Sequence, residues 1–388
     1  MQIDHIPPAA KDVMAAVAAL EPQIKAASAS IEAERRLPPA LAHRLMEAGV
    51  FRMGTPRAYG GGELDPMSQV RVVEELSRIE GAVGWLSMIS TAGSFLPAFL
   101  EPPAAHRLFG AVESVVAGQV RPPQRAELVE GGYRLSGTYH FGSGCRHASV
   151  MVCGSDIYEN GEPRRHGRHP EYRVLLVPAS KASIVDVWDT TGMRGTGSND
   201  IVVDNVFVPF SDTTTMMEDP FTPGPLYSFP PLYLVSHAGV PLGIARNALD
   251  FVEELVGQKK VMPSGRLMRE DPAVQETVAW AEAHLGAARA YVYNTLENLW
   301  ETLCKGDRPS PQQRAAYRMM MTYSHQAAKD LISKLYDTAA TSSIFRSSRL
   351  DRDMRDILTA CQHRVVHLKM YRPAGRLWLG LDPEEPLF

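Results

Sequence analysis

Residues 131–144 read GGYRLSGTYHFGSG, and residues 190–209 read TTGMRGTGSNDIVVDNVFVP. Each joins a glycine-rich turn to a short run of β-branched and aromatic residues, the texture of a strand. That texture extends outward through VESVVAGQV (112–120), ASVMVCGS (148–155), YRVLLVPAS (172–180) and SIVDVWDTTGM (183–193). The polar stretch YENGEPRRHGRHPEY (158–172) reads as an exposed hairpin loop. Strands at near-regular spacing with Gly, Asn and Pro turns predict a sandwich or barrel.

On both sides the apolar spacing becomes helical. AAKDVMAAVAALEPQIKAA (9–27), PPALAHRLMEAGVF (38–51) and MSQVRVVEELSRIE (67–80) repeat apolar residues at intervals of three and four. GAVGWLSMISTAGSFLPAFL (81–100) is apolar nearly all round, which predicts a helix buried between other elements. Gly60, Gly61 and Gly62 mark a turn. Beyond residue 225, four long amphipathic segments (237–260, 272–306, 310–340 and 348–371) read as a bundle. The expected fold is mainly α with a central β domain. Its parts are an N-terminal helical domain over 1–113, a middle β domain over 114–222 and a C-terminal helical bundle over 223–388. Segregated helices and strands argue against alternating βαβ units.

The chain has 388 residues, 45% apolar and 22% charged, with a formal net charge of -4. That is globular composition, without the basic excess that a nucleic-acid binder needs. Its four cysteines form no CxxC pair, which suits a reducing compartment and excludes a disulfide framework. The N-terminal 30 residues carry no basic-then-apolar export pattern. No 18-residue run is both uncharged and apolar throughout, so no membrane span and a cytoplasmic location are expected.

GxGxxG, Walker, HExxH and GxSxG patterns are missing, which removes the main support for nucleotide-fold dehydrogenases and common hydrolases. Three local features remain. At 137–148 Phe141, Gly142 and Ser143 end a strand, where a hydroxyl can hydrogen-bond a flat heterocycle while an aromatic covers its face. A plain strand terminus is the alternative. In the loop 190–199, Thr196, Ser198 and Asn199 offer donors to a polar cofactor edge, or simply connect two strands. In RLDRDMRDILTACQHRVVH (349–367), helical spacing puts Asp356, His363 and His367 on one face. Two histidines at i,i+4 can bind zinc, but no further ligand cluster accompanies them, and no metal is expected. His363 titrating near neutral pH suits acid–base work on a substrate hydroxyl. The alternative is a solvated or core histidine.

Taken in order, LMEAGVFRMGTPRAYGGGELDP, GGYRLSGTYHFGSG, GMRGTGSNDIVVDNVFVP and HAGVPLGIARNALDF resemble the acyl-CoA dehydrogenase superfamily over nearly the whole chain. The resemblance implies that superfamily's fold, an N-terminal helical domain, a middle β domain and a C-terminal four-helix bundle, assembled as a homotetramer. A dehydrogenase of this family needs a carboxylate base. Counting from Arg355-Asp356, one slot for that base holds Arg364; counting back from Pro241, the other falls near Tyr233. Neither is acidic.

GGYRLSGTYHFGSGCRHA and SSRLDRDMRDILTACQH are more similar to the two-component (group D) flavin-dependent monooxygenase branch, which includes the p-hydroxyphenylacetate, dibenzothiophene and indole or indole-acetate oxygenases. That resemblance implies an oxygenase component fed with reduced flavin (FADH2 or FMNH2) by a separate NAD(P)H-dependent reductase. It reacts with O2 and hydroxylates a small aromatic or heteroaromatic molecule through a flavin C4a-hydroperoxide. Carried over by position, Ser143 lies by flavin N5, Phe141 and Gly142 lie against the ring, and Thr196 and Ser198 contact the cofactor. Arg346, Arg349 and Arg352 could neutralise flavin phosphates, or simply form a solvated basic helix face. His363 faces the substrate, beside Trp85. In several members a histidine follows the helix tryptophan by about eight residues; that substrate slot is Gly93 here, and the branch's strand tryptophan is Tyr139. An acyl-CoA dehydrogenase with an unusual base and a non-catalytic helical binding protein are the competing readings.

Overall fold

The computed structural model describes residues 8–167 and 169–384. Five helices come first: α1 (Lys11–Glu34), α2 (Pro39–Glu47), α3 (Pro66–Ile79), α4 (Gly81–Gly93) and α5 (Pro102–Phe109). α1 buries Met14, Val17, Leu20, Ile24 and Ile31, a single stripe at helical spacing. Asp65 caps α3 by accepting from Ser68 N, and Pro66 occupies the first turn, where a missing N–H costs nothing. The C-terminal region contributes α6 (Gly239–Gln258), α7 (Pro272–Cys304), α8 (Pro311–Ala339), α9 (Arg349–Ala360) and α10 (Tyr371–Trp378). Helices from both ends share one apolar core, in which α3 packs on α6 and α4 meets α9.

Between them lies the sheet. Its main strands are β1 (Val116–Val129), β2 (Gly132–Gly142), β3 (Val150–Glu159), β4 (Tyr172–Pro178), β5 (Ser183–Val185), β6 (Asn199–Pro209) and β7 (Thr213–Thr214). They run in the order β7-β4-β3-β1-β2-β6-β5, with β1 and β3 parallel and the other neighbours antiparallel. This is one mixed, open sheet rather than two stacked sheets or a closed barrel. It nevertheless curls, because one face gathers Tyr133, Leu135 and Tyr139 of β2 with Met151, Cys153, Leu175 and Val177 of β3 and β4. The other faces of β3 and β4, Val150, Val152, Val174 and Leu176, pack with α5. The alternation of neighbours between two cores is the period of two that the sequence displays.

One expectation is met despite its composition, and one changes. Gly81–Phe99 is uncharged and reaches a mean hydropathy of 1.3, enough by length and composition for a membrane span, yet 83% of that stretch is buried inside the protein. The last long segment is not one helix. α9 stops at Ala360, and at His363 the backbone is extended (ψ 132°) before two short 3-10 turns. Asp356, His363 and His367 therefore share no helix face. The break buries Val366 completely and turns the His363 ring onto Trp85. Tertiary burial has overridden local helix propensity there.

Candidate active site

β2 and β6 are antiparallel, and Gly142 pairs with Asn199 at their shared end. The turn leaving β2 and the loop entering β6 thus meet. Gly142 permits this approach: a Cβ there would stand 2.6 Å from Ile201 Cδ1 and 2.9 Å from the Asn199 carbonyl oxygen. Asn199 Oδ1 accepts from the backbone N–H groups of Val187 and Trp188, which ties down the start of the glycine-rich loop. Ser143 Oγ lies 2.6 Å from Ser198 Oγ, which lies 2.7 Å from Thr196 Oγ1. All three residues are buried.

Trp85, on α4, links this cluster to the helices. Its indole N–H donates to Ser143 Oγ at 3.2 Å, and its ring meets His363 edge-on at 5.6 Å between centroids. Ser143 and His363, 220 positions apart in sequence, thus flank one tryptophan. The sequence reading missed two more histidines here. His237, just before α6, lies 4.9 Å from His363 and 6.3 Å from Trp85 between ring centroids. His325, on α8, is close enough to His363 and His237 to act on them electrostatically. Each donates Nδ1–H to a backbone carbonyl, His237 to Leu234 at 3.0 Å and His325 to Met321 at 2.8 Å. That fixes the tautomer and leaves Nε2 as an acceptor. Among the described residues neither Nε2 has a partner, nor does His363 Nδ1. Burial pushes the pKa of His325 and of His363 down to about 4, and that of His237 well below its usual value. All three imidazoles are neutral at pH 7, and His363 does not titrate near neutrality as the sequence led one to expect, because burial penalises its charged form.

Phe141 is 67% exposed, with left-handed backbone (φ 59°) and its ring edge-on to Trp188 at 6.3 Å. An uncovered aromatic held in that conformation is a ready face for a planar ligand. Nearby, Asp189, Thr190, Thr191, Leu358, Thr359 and Gln362 line an open cleft of about 440 Å³. An exposed ring and a buried hydroxyl cluster at one strand end fit a flat heterocycle with a polar edge.

Other predicted residues lie elsewhere. A Cβ on Gly93 would meet Val116 Cγ1 at 2.6 Å, so its slot is filled by β1 and has no room for a substrate-contacting side chain. Arg352 points inward, paired with buried Glu80 at 3.2 Å and bonded to Ser28. Its guanidinium is thus engaged by Glu80 and Ser28 within the chain. Arg349 covers the Phe251 ring at 5.3 Å, and Arg346 is exposed in the turn before α9. Asp356 accepts from Met193 N–H and so holds the glycine-rich loop against α9; burial raises its pKa to about 7. Tyr139 is fully buried, bonded to Ser155 at 3.1 Å.

Family models for the acyl-CoA dehydrogenase N-terminal and C-terminal domains match residues 11–99 and 235–368, together more than half of the chain. The chain belongs to the acyl-CoA dehydrogenase family. Its similar relatives within that family are oxygenases. An indole-3-acetate monooxygenase from Pseudomonas putida is 29% identical over 86% of this chain and 85% of its own. The oxygenase subunit HsaA of a flavin-dependent monooxygenase from Rhodococcus jostii is 26% identical over 94% of both. Among solved structures, a 3-HSA hydroxylase from a Rhodococcus species matches with a TM-score of 0.89 and 25% identity, over 97% of this chain and 99% of that one.

Proposed function

We propose that this family member is the oxygenase component of a two-component flavin-dependent monooxygenase acting on a small aromatic or heteroaromatic molecule. One observation carries the reading: Ser143 and His363 flank the same buried tryptophan, so a polar cofactor edge and a basic substrate contact fall on one site. Reduced flavin with O2 supplies the oxidising chemistry, one oxygen atom entering the substrate and the other leaving as water. FADH2 and FMNH2 both meet this requirement, delivered by a separate NAD(P)H-dependent reductase.

The chain's own residues then have defined tasks. Phe141 would cover the isoalloxazine face and Ser143 would meet its polar N5 edge. His363, neutral at pH 7, offers a ring nitrogen that can accept a hydrogen bond from a substrate O–H or N–H and polarise it. The bare Nε2 atoms of His237 and His325 add acceptors on the same side. Trp85 and the surrounding apolar core keep water from the reacting edge. Large apolar residues exposed near the C-terminus, among them Phe345, Trp378 and Leu379, are consistent with a homotetramer.

The dehydrogenase alternative lacks support at both slots for its base: Tyr233 is a phenol whose pKa burial raises, and Arg364 is exposed. Stopped-flow mixing of reduced flavin, the protein and O2 with indole-3-acetate, indole and resorcinol tests the proposal. Hydroxylated product with little H2O2 is expected for at least one of them. H2O2 alone with every aromatic tried, or bleaching of bound oxidised FAD by an acyl-CoA, would overturn it.

A further inference from the structure

The glycine-rich loop that enters β6 is tied to α9 along one short edge. Met193, buried and with left-handed backbone (φ 53°), donates its N–H to Asp356 Oδ1. One residue earlier, a Cβ on Gly192 would stand 2.0 Å from the Arg355 carbonyl oxygen, so backbone meets backbone there. Arg355 Nη1 also donates to the Thr191 carbonyl at 2.6 Å. The second oxygen of Asp356 faces the first residue of α4: a Cβ on Gly81 would lie 3.1 Å from Oδ2. One carboxylate, on α9, thus meets the loop and α4, and all three elements carry the site. α4 leads to Trp85, the loop leads to Thr196 and Ser198, and α9 leads to His363.

That carboxylate has no cation to itself. Arg355 is engaged by Glu32 at 2.7 Å and by Asp351 at 2.9 Å, and Arg352 by Glu80 at 3.2 Å. The other charges facing Asp356 share its sign: Glu80 before α4, Glu32 on α1 and Asp353 on α9, the last bonded by Asn247. Enclosing an unpaired anion among acids is costly, and an asparagine would fill the same space without that cost. What the acid adds is charge. A carboxylate accepts an N–H about twice as strongly as a neutral oxygen does, and the N-terminus of α4 favours an anion beside it.

We propose that Asp356 is a positioning residue whose negative charge clamps the glycine-rich loop and α4 to α9, and so fixes the spacing between the Ser143 cluster and His363. The clamp itself is independent of the function proposed above; its consequence for turnover rests on that function. A proton on Asp356, or an amide in its place, weakens the clamp without removing it, so the clamp tightens as pH rises through about 7. Reduced flavin and O2 give oxidised flavin and H2O2 when the substrate is misplaced. They give oxidised flavin, hydroxylated substrate and water when it is held correctly. A loosened clamp therefore diverts electrons from product to peroxide.

Hydrogen–deuterium exchange of the flavin-free protein tests the clamp directly. At pH 8 the segment 190–197 in Asp356→Asn is expected to exchange about five-fold faster than in wild type, with β1 to β4 unchanged. At pH 6, after correction for the intrinsic rate, the two proteins should match. The folded chain holds the Asp356 proton more tightly than the unfolded chain, so this group's contribution to stability is lost as pH rises through 7. Asp356→Asn should accordingly be no less stable than wild type to urea at pH 8. Equal exchange of 190–197 at pH 8, or faster exchange spread over the whole chain, would overturn the clamp. With reduced flavin, O2 and an aromatic that wild type hydroxylates, the product-to-H2O2 ratio of wild type should exceed that of Asp356→Asn by about three-fold at pH 8 and equal it at pH 6. A ratio that the substitution leaves unchanged at pH 8 would overturn the link to His363. If wild type hydroxylates none of the aromatics while the exchange behaves as expected, the proposed function falls and the clamp stands.

Discussion

The two walls around Trp85 are built on opposite principles. On the sheet side Ser143, Ser198 and Thr196 bond to one another, to the Trp85 indole and to the Met193 carbonyl. On the helix side His237 and His325 are fully buried and His363 is half-buried, yet each keeps a ring nitrogen without a partner among the described residues. A satisfied buried network holds its geometry, while buried unsatisfied acceptors cost free energy unless something else fills them. Under the proposed function the first wall would hold a cofactor edge in one orientation, and the second would offer acceptors to a substrate.

The sharpest way to break this contrast is His363→Ala. Loss of an acid–base partner is expected to lower product formation by about 100-fold or more. Reduced-flavin oxidation should continue and appear as H2O2, so product and peroxide measured together check it. Equal loss of both would mean that His363 only supports the fold.

Acid should act on the imidazole wall. The pKa of His325 falls from the ordinary 6.5 to about 4 on burial. Between those values the unfolded chain takes up a proton that the folded chain refuses. The stability is thus present above pH 6.5 and is lost as pH falls through 4, by about 3 kcal/mol for this one group. Urea melts at pH 7.5 and pH 4.5 measure the loss, and His325→Leu should lessen it while leaving stability at pH 7.5 within about 1 kcal/mol of wild type.

The hydroxyl wall should respond the other way. Ser198→Ala breaks two hydrogen bonds of the hydroxyl cluster and is expected to cost about 1–2 kcal/mol, with little dependence on pH, in the same melts. A larger loss in His325→Leu than in Ser198→Ala at neutral pH would erase the distinction between the walls. The smallest effect is expected at Phe141. Because that ring is 67% exposed, Phe141→Ala should change stability by no more than about 0.5 kcal/mol while weakening flavin binding several-fold in a fluorescence titration.

Much of the architecture was legible. The strands announced themselves through Val150, Met151, Val152 and Cys153, which alternate between two cores, and α1 through its stripe from Met14 to Ile31. Ser143 and Ser198 stood out because glycine-rich turns flank them, and antiparallel pairing of β2 with β6 brought them together. His237 and His325 gave no such signal. Each sits within an apolar run that reads as ordinary core, and only packing places both beside His363. Arg352 looked like one of three cations on a helix face until Glu80 took it inward.

By itself the sequence determined which segments become helix or strand, because periodicity, capping and turn chemistry act over a few residues. It likewise carried the family resemblance, since motif order survives along a chain. Tertiary structure alone decided that α9 ends at Ala360 and that His363 packs beside His237, with His325 near both. Those outcomes depend on which surfaces meet and exclude water, and burial is a property of the assembled fold rather than of any local run of residues.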